Sequence, residues 1–400
     1  MKLTLAPAVE QRYDFLNEAQ REAVARTDGP LLIIAGPGSG KTLVLVVRSL
    51  NILLQGKAEP HEIVLCTFTE KAAFELRDRV AQGARTLDYT GDLSQLQVGT
   101  IHSICNDHLM HFRHHTDLGA SYEILDELTQ PLFLFENFEE IVDEPEEGCK
   151  YFGKWSTRWT TIRGLTQFFN KITTELVDPR ALVRGGTAFL RQLGAAYQRY
   201  ERLLDERDRL DFAHQQKAFF QLLENPEIAE EVQAQARYVL VDEYQDTNYI
   251  QEQLLLKLAE PQNNLCVVGD DDQSLYRFRG ATVRNILEFG KHFETCPQVR
   301  LTVNYRSHER IIDGYNRFMA GRNWSNPDSE FNFRYDKTIV KNEDDEHPDY
   351  PAVFAIWGAD RTDEADRAAD LVAFLKENQV IEDYNQVALL LHSVRSQHSD

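Results

Sequence analysis

Short apolar runs alternate along this chain with longer stretches in which apolar residues recur every three or four positions. Uninterrupted apolar runs read as strands buried on both faces, and the three-and-four spacing reads as helix packed on one face. The runs at 31–35, 63–68, 238–241, 265–269, 299–303, 353–357 and 387–391 predict strands, with helices over 41–55 and 71–82. Such alternation predicts an α/β fold built on a parallel sheet. The middle departs from it. From about 118 to 209 the pattern is helical with no convincing strand, which predicts a helical subdomain inserted between strands of one sheet. Around 323–349 Pro, Asn and acidic residues accumulate, predicting a long loop before a last αβ pattern.

Composition narrows the class. Of 400 residues 42% are hydrophobic and 27% charged, as in soluble globular proteins. No run approaches the roughly 20 apolar residues of a membrane span. The opening MKLTLAPAVEQRYDF is too short in its apolar part for a secretory signal, so the expected location is cytoplasmic, with no membrane partner. Cys66, Cys105, Cys149, Cys266 and Cys296 never form a CxxC pair, which argues against a metal cluster or a disulfide framework. Cys66 and Cys266 sit in apolar runs and read as small buried hydrophobes. The net charge of −21 counts against a nucleic-acid partner, because phosphate contacts depend on cations. The acid is concentrated at 136–147 and 343–349, which read as solvated faces, and a local groove on an acidic protein can still be positive.

Candidate chemistry begins after the first predicted strand. Gly36-Pro37-Gly38-Ser39-Gly40-Lys41-Thr42 satisfies G-x-x-x-x-G-K-[ST], between a strand and a helix. Glycines let the backbone turn tightly with N–H groups aimed at phosphate, and the following helix adds its positive end. Lys41 is expected to reach the β- and γ-phosphates of a nucleotide and Thr42 to ligate Mg²⁺. The strand at 238–241 ends in Asp242-Glu243, placing two carboxylates at a sheet edge: Asp242 for Mg²⁺, Glu243 to polarise the attacking water. A third strand runs into Gly269-Asp270-Asp271-Asp272-Gln273-Ser274, which alone reads as either a metal site or an acidic turn.

Further segments carry a resemblance to a known family. Leu16-Asn17-Glu18-Ala19-Gln20 precedes the loop, while Thr67-Phe68-Thr69-Glu70-Lys71-Ala72-Ala73 and Gly99-Thr100-Ile101-His102-Ser103 follow it. With 241–248, 269–281 and Asn304-Tyr305-Arg306-Ser307 they resemble, in order and spacing, the superfamily 1A DNA helicases of the UvrD/Rep/PcrA type. The resemblance implies a RecA-like P-loop ATPase over 1–115 and 210–285, a helical insertion over 116–209 and a partial second RecA-like domain over 286–400. It implies ATP-dependent 3′→5′ helicase or translocase activity on single-stranded DNA or a single/double-strand junction, with DNA-repair proteins as possible partners. It further implies that Gln20 reads adenine, Tyr305 stacks on it, Gln273 senses the γ-phosphate and Arg306 contacts it. Thr67, Phe68, His102, Tyr276 and Phe278 are the implied DNA contacts. For the aromatics the alternative is core packing, and His102 reads equally as a satisfied core histidine.

Departures qualify the resemblance. The family usually has Asn where this chain has Glu70, and Arg277 and Phe278 stand for the commoner Gly and Trp; Phe keeps a stacking face. Leu210-Asp211-Phe212-Ala213-His214 keeps only the start of an acidic segment. The stretch 386–399 resembles a late motif, and the family's remaining motifs, with a further γ-phosphate arginine, do not follow. On that ground the isolated chain is expected to bind ATP better than it hydrolyses it. The alternative reading is a non-motor, ATP-switched module that binds DNA or a partner; a helicase–nuclease subunit would need a carboxylate cluster, and none stands out.

Overall fold

The computed structural model describes residues 3–116, 119, 122–275, 280–327, 331–344 and 352–390. Its strands are β1 (Leu31–Ala35), β2 (Ile63–Thr67), β3 (Gln97–Thr100), β4 (Glu123–Leu125), β5 (Arg209–Asp211), β6 (Tyr238–Val241), β7 (Leu265–Gly269), β8 (Gln298–Leu301), β9 (Val303–Asn304) and β10 (Val340–Lys341). Six of them form one sheet in the order β3-β2-β6-β7-β1-β8, with every neighbouring pair parallel. This is the α/β, RecA-like P-loop architecture that the motifs and the strand–helix alternation imply.

The apolar runs become strands because the sheet is covered on both sides. In β1 every residue is buried. Side chains alternate across a strand, so Leu31, Ile33 and Ala35 enter one core while Leu32 and Ile34 enter the other. Helix Lys41–Leu54 closes the first core through Val44, Leu45, Val47 and Leu50. Helix Tyr249–Ala259 closes the second through Ile250, Leu254, Leu255 and Leu258. Each such side chain contributes about 1.5–3 kcal/mol relative to exposure. The helices that follow β2 and β3 are capped on entry. Thr69 Oγ1 accepts from Ala72 N at 3.1 Å and Thr100 Oγ1 from Ser103 N at 3.1 Å, fixing where the chain turns at the sheet edge.

The helical block has a core of its own. Helices Thr129–Glu136, Arg158–Thr174 and Ala188–Glu206 bury Phe133, Ile162, Leu165, Phe169, Tyr197 and Tyr200 against one another. Its base is tied by β4 pairing in parallel with β5, a short strand that the helical reading of this stretch did not contain. Three residues are too few for a period-two pattern to show.

Other expected strands change. The run at 299–303 breaks at Thr302, with β8 in the main sheet and β9 paired instead with β10. The main sheet therefore continues past residue 286, where a second unit was expected to begin. β3 was missed because Gln97-Val98-Gly99-Thr100 is a short edge strand with one large apolar residue, Val98, and so little apolar signal. No strand forms at 353–357 or over 387–390, and residue 391 lies outside the described residues. A strand persists only against a bonded neighbour and a covered face, and here Val353 is 66% exposed, Trp357 79% and Leu390 95%. Helix Arg361–Glu377 likewise buries no residue. Among the described residues no helix is long and apolar enough to cross a membrane.

The helical block's reliance on its own core is testable. Phe169, fully buried between Tyr197 and Tyr200, should cost about 3–5 kcal/mol on substitution by Ala. A denaturant titration reads this; a loss below about 1 kcal/mol would show that the block does not depend on that packing.

Candidate nucleotide and DNA site

Parallel strands bring their C-terminal ends to one edge, and the predicted chemistry collects there. The loop leaving β1 turns at Gly38 (φ +67°) and Gly40 (φ +83°), conformations that disfavour a side chain. Space is closed as well. A Cβ on Gly38 would lie 2.8 Å from Asn304 Oδ1, and one on Gly40 3.0 Å from Gln20 Nε2. Pro37 O accepts from Asn304 Nδ2 at 2.8 Å, and Ser39 Oγ donates to Gly36 O at 2.8 Å, so the loop is held from both sides.

Lys41 and Thr42 open the next helix and face the end of β6. Lys41 Nζ lies 2.7 Å from Glu243 Oε2, and Thr42 Oγ1 donates to Asp242 Oδ2 at 3.2 Å. β7 and β1 separate β6 from the sheet's other edge, so residues 200 apart in sequence meet across one intervening strand. Burial pushes the Asp242 carboxyl up to about 6, the neighbouring Glu243 charge adds to the rise, and Lys41 pulls the other way. Asp246 rises to about 7 through burial and then the same Glu243 charge. Glu243 itself sits at φ +53°, a left-handed conformation that costs a non-glycine residue about 1–2 kcal/mol. The neighbouring contacts hold it there: Gln245 Nε2 donates to Glu243 Oε2 at 2.8 Å while Gln245 Oε1 accepts from Asp270 N at 2.9 Å.

Gln273 is exposed, and its Nε2 donates to Asp270 Oδ2 at 2.7 Å. Gln20 Nε2 donates to Ser39 O at 3.0 Å, and its helix opens with an Asn17–Gln20 capping box. Asn17 Nδ2 donates to the Tyr305 hydroxyl at 2.8 Å, and Tyr305 N donates to Gly38 O at 2.9 Å. Gln20 and Tyr305 thus bond to carbonyls of the loop itself, while Lys41 and Thr42 reach the carboxylates at the end of β6. Arg306 is exposed, its backbone N–H held by Asn304 Oδ1 at 2.7 Å.

The expected DNA contacts are less uniform. Thr67 is buried, and Phe68 lines a cavity of about 20 Å³ with Thr67, His102 and Asp242. His102 sits edge-on to Phe212 at 5.3 Å and bonds Gln216 through Nε2. Burial lowers it to about 4, so it offers a neutral ring at pH 7 and no charge to a phosphate. Glu70 accepts from Thr100 Oγ1 at 2.8 Å, joining the segments after β2 and β3. Tyr276 and Phe278 lie outside the described residues.

Three residues at this edge carried no assigned role. Asn17 was readable as a helix cap followed three positions later by Gln20. Asn304 stood in a quoted motif, but its grip on the loop depends on a contact 267 residues away. Gln245 gave no local signal.

The UvrD/REP helicase N-terminal domain family matches residues 16–294. The chain belongs to that family. Among UvrD/REP relatives, the putative ATP-dependent DNA helicase YjcD of Bacillus subtilis is 30% identical over 90% of this chain and 44% of its own length. The ATP-dependent DNA helicase PcrA of the same organism is 34% identical over 78% of this chain and 40% of its own length. PcrA of Staphylococcus aureus is 33% identical, again over 78% of this chain and 41% of its own length. The chain spans less than half the length of these relatives.

The raised Asp242 carries a pH signature for the UvrD/REP site without nucleotide. Between pH 3.8 and about 6 the unfolded chain releases this proton first while the native chain retains it, so native stability falls as pH rises. Asp242→Asn has no such proton. Its stability advantage over the wild type should therefore grow across that window by on the order of 1–3 kcal/mol. Paired denaturant titrations at the two ends measure it, and a constant difference would refute the buried-charge account.

Proposed function

We propose that this chain acts as an ATP-driven DNA helicase or translocase of the UvrD type, moving 3′→5′ on single-stranded DNA in the cytoplasm. The observation that carries the reading is the meeting of Lys41 and Thr42 with Asp242 and Glu243 at one sheet edge, beside Gln20 and Tyr305. Residues 1–115 and 210–285 are taken as the first RecA-like unit, extended by β8, with 116–209 as its helical insertion. The remainder from 286 is taken as the start of a second unit.

In the nucleotide-free chain Lys41 neutralises Glu243. A triphosphate seated on the loop offers Lys41 a competing anion of higher charge. Lys41 then turns to the phosphate and Glu243 is left free to take a proton from the attacking water. Thr42 and Asp242 suit Mg²⁺: a hydroxyl and a buried carboxylate 3.2 Å apart are hard oxygen donors. This is the small protein share expected of an ion held mostly by phosphate and water. Bound there, it would supply positive charge against the phosphates. Gln20 presents its amide beside the loop for the base, and Tyr305 its half-exposed ring.

DNA would run over the ends of β2 and β3, past Thr67, Phe68 and His102. With a neutral His102 and an acid at Glu70, binding there depends on stacking and hydrogen bonds more than on charge. DNA-repair proteins are the class of partner this activity would serve.

Saturating Mg²⁺–ADP at about a hundredfold over Kd should stabilise the chain by about 2.7 kcal/mol. Lys41→Ala should abolish that thermal shift, and a shift that persists would sink the loop assignment. The motor reading itself requires ATP turnover that single-stranded DNA stimulates; nucleotide binding without such turnover favours a switch instead. Glu70→Asn removes an acid from the DNA path while keeping an acceptor for Thr100. It should tighten single-stranded DNA binding roughly two- to fivefold at low salt, as read by fluorescence anisotropy; unchanged or weaker binding places the strand elsewhere.

A further inference from the structure

A lysine far along the chain is buried among carboxylates. Lys337 is 1% exposed at its side chain, yet it faces Asp270, Asp271 and Asp272 together. Its ammonium donates to Asp270 Oδ1 at 2.8 Å, bonds Asp271 Oδ1, and lies 3.1 Å from Asp272 Oδ2. The cluster is closed by other groups of the same segment. Arg334 Nε donates to Asp272 Oδ1 at 2.8 Å and Tyr335 N to Asp271 Oδ2 at 2.8 Å. Burial alone would drive Lys337 towards neutrality, but the carboxylates outweigh it and hold the ammonium above its ordinary range.

The contact matters because of what Asp270 does with its other atoms. Its second oxygen, Oδ2, accepts from Gln273 Nε2 at 2.7 Å, and its backbone N–H donates to Gln245 Oε1 at 2.9 Å. Gln245 in turn donates to Glu243 Oε2, the atom that also accepts from Lys41. One chain of hydrogen bonds therefore runs from Lys337 through Asp270 to Gln273 and, by a second branch, to Glu243 and Lys41. The same segment reaches the phosphate loop directly. Ile339, two residues on, fills the space over Gly36 where a Cβ would collide with it, and β10 pairs with β9 just ahead of Tyr305.

We infer that Lys337 is a positioning residue for the nucleotide site, holding Asp270 so that Gln273 and Glu243 are aimed at the terminal phosphate of a bound triphosphate. This rests on the nucleotide reading of the site proposed above. Lys337 touches neither loop nor nucleotide; it acts through Asp270. Its loss releases the Asp270 carboxylate to rotate towards other donors, and Gln273 goes with it. Recognition of the γ-phosphate is what should suffer. Diphosphate binding depends on the loop, Gln20 and Tyr305, which Lys337 does not orient.

The test compares the 400-residue chain with its Lys337→Met variant and with the double variant K337M/D271N. The single variant leaves Asp270 and Asp271 without their cation and lowers stability, Arg334 remaining on Asp272; the double variant removes one charge of each sign and restores the balance. Calorimetry with Mg²⁺ and the β,γ-imido analogue of ATP, against Mg²⁺–ADP, gives the preference for triphosphate over diphosphate. That preference should fall by about tenfold in whichever variant folds, with ADP affinity held within about twofold. A purely structural role would weaken both nucleotides alike, and that outcome, or an unchanged preference, overturns the inference. Failure of the wild type to bind either nucleotide overturns the underlying site assignment instead.

Discussion

Lys41 and Glu243 make an ion pair 2.7 Å long at the end of a sheet whose strands all point the same way. Much of the molecule serves that meeting. β1 must be buried on both faces to deliver the loop, and β6 must sit near it with β7 between. Glu243 is held in a left-handed backbone conformation that few side chains adopt. Lys41 is nearly enclosed and Glu243 partly exposed, so removing Glu243 leaves the lysine's charge poorly solvated and without compensation. The arrangement therefore favours exchange of one partner for another over simple separation.

How much of this could be read along the chain follows from the range over which each signal acts. The strands of the main sheet buried on both faces were legible because five consecutive apolar residues, as in Leu31–Ala35, admit few other environments. The phosphate loop was legible because its glycines answer a local backbone demand, visible as the positive φ of Gly38 and Gly40. β3 and β4 were illegible because strands of four and three residues leave almost no periodic trace. The runs at 353–357 and 387–390 misled for the opposite reason: they carry strand composition, but strand structure depends on a neighbour, and these side chains stand exposed. Asp270–Asp272 stayed ambiguous on sequence grounds because what balances them, Lys337 and Arg334, arrives from more than sixty residues away. Long-range pairing of this kind has no local signature.

The acidic composition takes on a different meaning once side chains are placed. A net charge of −21 argues against a polyanionic ligand when it is treated as a uniform field. Part of the acid is internal, however, and already balanced, Asp270 and Asp271 by Lys337 and Asp272 by Arg334, and the partly exposed Glu243 is paired with Lys41. Other carboxylates at the sheet edge hold their protons more tightly than usual, Asp242 and Asp246 among them. The local field at the phosphate loop is therefore set by a few paired groups, and formal charge summed over the chain overstates the repulsion that an approaching nucleotide meets.

A final consequence lies in the break at Thr302. The chain leaves the edge of one sheet at Leu301 and enters another two-stranded sheet at Val303, so a single residue joins the two. Leu301 O holds the Gly36 N–H at 2.8 Å, and Thr302 O holds the Val340 N–H at 2.9 Å. Adjacent carbonyls thus grip the phosphate loop and the segment that carries Lys337. A turn of one peptide here cannot be absorbed by slack, because there is none. Any relative movement of the two sheets would have to pass through that one residue, between the carbonyl that holds the Gly36 N–H and the carbonyl that holds the Val340 N–H.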